Sequence, residues 1–119
     1  MGGHACTMMN AVSATDDPEV EVARLWEEHR REPWPPELNA VERAGIDLEA
    51  FDSQLAGCVH TWVSNRSAFG ARHRDGIRHL LRELELLLPE LTEDDHPRIW
   101  RRYHRMAQLI SEASPPPTS

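Results

Sequence analysis

The sequence predicts an all-α fold, a four- to five-helix antiparallel bundle. Apolar residues recur at spacings of three and four in several segments, capping and breaking residues separate those segments at short intervals, and no run alternates as a half-buried strand would. With 119 residues the chain can bury one modest core but not two. One domain is therefore expected at 16–113, between an N-terminal tail at 1–15 and a proline-rich tail at 114–119, both aperiodic and expected to stay mobile.

Asp17 before Pro18 is a helix-start signal, and Val22, Leu25, Trp26 and His29 lay one stripe on a helix over about 18–31. The "EPWPPEL" segment ends it. Trp34 reads as a hydrophobic staple over a short helix from Pro36 to a stop at Gly45. Asp47 caps a helix over 48–65, whose seam is Leu48, Phe51, Leu55, Cys58, Val59 and Trp62. Its other side is small throughout: Ala50, Ser53, Gly57, Thr61 and Ser64. Such a face lets another backbone approach closely, and packing within the chain is the expected use, with a dimer mate the alternative. A turn with an N-capping hydroxyl near Ser67 leads to a helix over 71–88 bearing Ile77, Leu80, Leu81, Leu84, Leu87 and Leu88. The last helix, from Pro97 to about 113, turns Ile99, Trp100, Tyr103, Met106, Ala107 and Ile110 inward.

Net charge is −7, unevenly placed: residues 1–59 hold twelve acids and four arginines, residues 60–119 eight acids and nine arginines. Packing the acidic half on the basic half would neutralise this within one domain. All 13 basic residues are arginine, a composition expected of a GC-rich bacterial genome. Cys6 and Cys58 have no CxxC neighbour, which fits free thiols in a reducing cytoplasm. There is no export signal of standard form and no run of 18 apolar residues, so the expected location is cytoplasmic.

Residues 58–79, "CVHTWVSNRSAFGARHRDGIRH", gather the side chains that enzymes use. Asp75 and His79 stand at i, i+4 on one helix face, where a carboxylate supports an imidazole. No phosphate-cradling glycine loop surrounds Gly70 or Gly76, and no nucleophile elbow surrounds Ser67. Only one E-x-x-H occurs, Glu93 to His96, whereas a bundle di-metal site takes two. No metal or other cofactor is expected; a cluster of His60, His73 and His104 at one bundle end is the remaining route to a metal, while His29 and His73 read as hydrogen-bonded core histidines.

Within that stretch "RDGIRH", Arg74 to His79, resembles over six residues the R-polar-x-x-x-H motif of the HEPN family, all-α bundles that are often ribonucleases or toxins. The resemblance implies a dimeric ribonuclease in which Arg74 stabilises phosphate charge, Asp75 fills the polar position and His79 is the acid/base. Arg74 and His79 lie about 140° apart on a straight helix, so one chain alone would not converge them.

Two arginine stripes complete the reading, Arg98, Arg101, Arg102 and Arg105 on the last helix and Arg74, Arg78 and Arg82 on the one before. Antiparallel packing is expected to set Arg102 and Arg105 level with Arg78 and Arg82, as a patch for an acidic protein. The net charge of −7 and the absence of aromatic stacking patterns argue against nucleic acid. The function expected from the residues alone is thus a small non-enzyme that binds another protein or itself. Its contact residues would be Arg78, Arg82, Arg98, Arg101, Arg102 and Arg105, together with Ser53, Gly57 and Thr61. A ribonuclease using Arg74 and His79, or a bundle for a small ligand or metal, are the alternatives.

Overall fold

Capping chemistry sets where each helix begins. In the computed structural model, which describes residues 17–113, Asp17 accepts from the Glu19 amide at 2.9 Å and starts α1 (Pro18–Arg31). Asp47 likewise accepts from the Glu49 and Ala50 amides at 3.1 and 3.3 Å to start α2 (Leu48–Ser64). These carboxylates satisfy amides that have no partner inside the helix. The next helix, α3 (Ala71–Leu87), starts at Gly70 with no side-chain cap, and Ser67 bonds instead to Asn65 within the turn at 3.0 Å, a correction to the capping hydroxyl expected there. Thr92 and Asp95 form a reciprocal capping box one short turn before α4 (Pro97–Ala113).

The short helix expected from Pro36 to Gly45 does not form. A single 3-10 turn at Pro36–Leu38 is followed by a minute antiparallel hairpin, β1 (Glu42–Arg43) and β2 (Ile46–Asp47), pairing Glu42 with Asp47 and Arg43 with Ile46. The reason is local backbone geometry. Ala44 and Gly45 both take positive φ, 55° and 76°, the two central positions of the turn whose twist suits a hairpin. Gly45 is a turn residue here, not a helix stop. Trp34 closes over this segment, its indole nitrogen donating to Asn39 at 2.8 Å and its ring meeting Trp100 edge-on at 6.3 Å.

The four helices of the described residues pack against one another in alternating directions, the bundle the sequence predicts, with only the two-stranded ribbon besides. Helix α4 is the central element. Its Ile99, Trp100, Tyr103, Met106, Ala107 and Ile110 are all buried, against Val22 and Leu25 of α1, Leu48, Phe51, Leu55, Val59 and Trp62 of α2, and Ile77, Leu80, Leu84 and Leu87 of α3. Leu81 and Leu88 are half-buried at the margin.

A bidentate ion pair fastens the hairpin to the start of α4. Arg43 Nε and Nη2 donate to Asp95 Oδ2 and Oδ1 at 2.9 and 3.1 Å, and Asp95 is only 2% exposed. Burial alone would raise that carboxyl, but donors from the Thr92 amide and from Arg43 outweigh it and hold Asp95 below the usual carboxylate range. The Trp100 indole donates to the Asp95 carbonyl at 3.0 Å, so this one residue ties a loop, a cap and the core together. The tails expected at 1–15 and 114–119, with Cys6, lie outside the described residues.

Candidate functional site

Three features could carry function: a polar chain through the core, the arginine stripes, and an open groove between α2 and α3. The polar chain begins at Glu32, just past the end of α1, which accepts from Arg102 Nη2 at 2.8 Å and Arg98 Nη2 at 2.6 Å. Burial works against this carboxylate, yet the bonds and charges of Arg102 and Arg98 hold it below its ordinary value. Arg102 Nη2 also lies 3.2 Å from His29 Nδ1, and an arginine can only donate. The proton of the neutral ring is thereby assigned to Nε2, which stands 2.9 Å from Tyr103 Oη, and the phenol in turn donates to Asp52 Oδ1 at 2.5 Å. Trp26 stacks on His29 at 5.5 Å and 11°.

This relay joins α1, α2 and α4, and His29 is the hydrogen-bonded histidine that its apolar stripe predicts. Its phenol does not reach solvent, because Tyr103 is fully buried, while His29 and Asp52 keep 15% and 24% of their side chains exposed. Burial, and next the Asp52 acceptor, push the phenol's pKa far above its usual value and keep it protonated. The arrangement is a structural clamp.

The clamp dismantles the arginine patch. Arg102, expected level with Arg78 and Arg82, turns toward α1 and keeps only 8% of its side chain exposed, while Arg98 shares Glu32 with it. Arg101, Arg105 and Arg82 are exposed, and Arg105 reaches Gln108 at 3.5 Å. Arg78 is half-buried with Asp75 at 4.0 Å. Helical spacing sets these arginines near one another along each helix. It did not say that an acid from α1 would claim two of them.

The residues resembling the ribonuclease motif are not brought together. Arg74 lies against a cleft with Trp62, Phe69 and Arg66, its Nε buried without a hydrogen-bond partner. His79 borders a different hollow, with Asp47 and Gln54. Asp75 is 76% exposed and approaches Arg78, whereas His79 pairs with Glu83 at 3.6 Å, so the Asp75–His79 pair does not form. His60, His73 and His104 have separate neighbours in Trp26, Phe69 and Glu85. Among the described residues no three metal-ligating side chains stand close enough to hold an ion.

The small face of α2 is where packing departs most from expectation. Ala50, Ser53, Gly57 and Ser64 are exposed and Thr61 half-buried, so no helix of the described residues covers it. Two hollows of about 370 and 380 Å³, sharing Gln54, make a groove along the α2–α3 seam. Ser53, Gly57 and Thr61 line it on α2; Arg72, Gly76 and Leu80 line it on α3, with half-buried Cys58 beside them. Burial raises the Cys58 thiol to about 11, so it is no activated nucleophile. Thr61 turns its hydroxyl back onto the Gly57 carbonyl at 2.9 Å, which lessens the groove's need for water, and Ser64, beyond the groove's lining, does the same to the His60 carbonyl at 2.6 Å. A Cβ built on Gly57 or on Gly76 meets nothing within 4 Å.

No protein-family model matches the chain, and comparisons with curated proteins and with solved structures give no match either. No helix of the described residues is long and apolar enough to cross a membrane.

Sequence reasoning missed Arg102, Tyr103 and Asp52 as partners of His29, Glu32 as the partner of Arg98 and Arg102, and Arg43 with Asp95. The only prior signal was polarity: Tyr103 stands on an inward stripe, where a buried hydroxyl requires an acceptor.

Proposed function

We propose that this protein works by protein–protein contact, without catalysis of its own, and that the α2–α3 groove seats a helix. The carrying observation is the facing pair of uncovered glycines, Gly57 and Gly76. A glycine inside a helix costs about 1 kcal/mol relative to alanine, and neither position is crowded by any of the described residues. What both do is leave room for a backbone arriving from outside. The self-satisfied hydroxyl of Thr61 and the Leu80 flank suit an apolar helix face. Arg74 and His79 open onto different clefts, which lends no support to ribonuclease chemistry.

Native mass spectrometry after exposure to an extract of the protein's own host tests this, comparing wild type with Gly57→Arg, which fills the groove. An added protein mass, whether a second copy or another chain, that the variant loses supports the reading. A mass retained equally by the variant, or no added mass, overturns it.

A further inference from the structure

The groove has two electrically different ends. At the end of α2 and the start of α3 stand Arg72 and His73; at the other end stand Asp47 and Glu83. Arg72 is exposed and makes no ion pair among the described residues, while Glu83, its side chain 33% exposed, has only His79 nearby at 3.6 Å. Arg72, Gly76, Leu80 and Glu83 follow one face of α3 at helical spacing, so the charges at the two ends are separated by about 16 Å of helix rise. Midway between them lie Gly76 on α3 and Gly57 on α2, the positions with open space above them.

A surface basic at one end, acidic at the other and open in the middle is complementary to itself when turned end for end. We infer that the helix seated in this groove belongs to a second copy of the same chain, the two α2–α3 faces meeting about a twofold axis through Gly57. This rests on the reading of the groove as a helix-docking surface. In that arrangement Arg72 of each copy meets Glu83 of the other, both contacts form at once, and the backbones come closest where both lack a Cβ. A parallel arrangement would set Arg72 against Arg72 and Glu83 against Glu83, which the like charges oppose.

Charge reversal separates the possibilities. Arg72→Glu and Glu83→Arg are measured alone and as an equimolar mixture by sedimentation velocity over a concentration series, circular dichroism checking that each variant stays folded. Each variant alone would place two like-charged pairs in its dimer and weaken self-association about tenfold or more. The mixture would form heterodimers with both pairs of opposite charge restored, one in its original sense and one reversed, returning association to the wild-type level. A wild-type dimer indifferent to both reversals, or a mixture no better than its components, overturns the twofold seat. A wild type that stays monomeric at every concentration overturns the second copy as occupant. Groove binding of a different protein, lost in Gly57→Arg, would in that case still be visible in the mass experiment, so the two failures are distinct.

Discussion

Tyr103 and Asp52 join the inner face of α4 to α2 through one short hydrogen bond, Oη to Oδ1 at 2.5 Å, with His29 of α1 at 2.9 Å on the same oxygen. Tyr103→Phe leaves packing nearly unchanged but takes the donor from Asp52 and the partner from His29. It should cost about 1–3 kcal/mol in urea unfolding, with the slope unaltered. Native stability near neutral pH equal to wild type would show the clamp to be dispensable.

Burial of the same phenol, and next its bond to Asp52, set the alkaline limit. The folded-state phenol titrates well above its unfolded value of 10.0, so between the two the native state holds a proton that the unfolded state has lost. Stability is full below about pH 10 and falls by about 1.4 kcal/mol per pH unit above it. Tyr103→Phe should flatten that fall, measured as urea midpoints from pH 9 to 11.

At the acid side the order reverses. Glu32 and Asp95 are both held below their ordinary values, so their contribution is complete above about pH 4.5 and is lost as pH drops through the lowered values. Asp95→Asn should remove part of this acid dependence and cost about 2–4 kcal/mol at neutral pH, since Arg43 then loses its charged partner. An unchanged acid midpoint would count against Asp95 as the group responsible.

Gly57→Ala separates the folded chain from its assembly. With nothing within 4 Å of the added methyl, helix propensity alone should stabilise the dilute protein by about 0.5–1 kcal/mol. Thermal melts of dilute samples decide the matter, a lowered midpoint showing hidden crowding.

Two neighbouring arginines should behave oppositely. Arg102→Glu sets an acid beside Glu32 and takes the donor from His29, and is expected to cost about 3–5 kcal/mol. Arg105→Glu, on the exposed face, should stay within about 0.5 kcal/mol of wild type. Equal melting temperatures for the two variants would contradict the inward placement of Arg102.

The helices were legible because their signals are local. The Asp17 and Asp47 caps, the leucine stripe of α3 and the inward stripe of α4 follow from spacing and elementary backbone chemistry. The hairpin was not, because Ala44 takes a positive φ that alanine does not advertise, and a lone Gly45 reads equally well as a helix stop. Of the functional features, the stripe Ser53, Gly57 and Thr61 was visible, but its exposure depends on how many neighbours the bundle supplies. The link from His29 to Tyr103 spans 74 residues, beyond the reach of any periodicity.

Because α4 is the common wall against which the other three helices bury their apolar faces, the order of synthesis matters. The ribosome delivers α1, α2 and α3 first, each with its stripe still facing water, and short amphipathic helices are marginal without a packing partner. A chain lacking Pro97–Ala113 would leave those three stripes without their common partner.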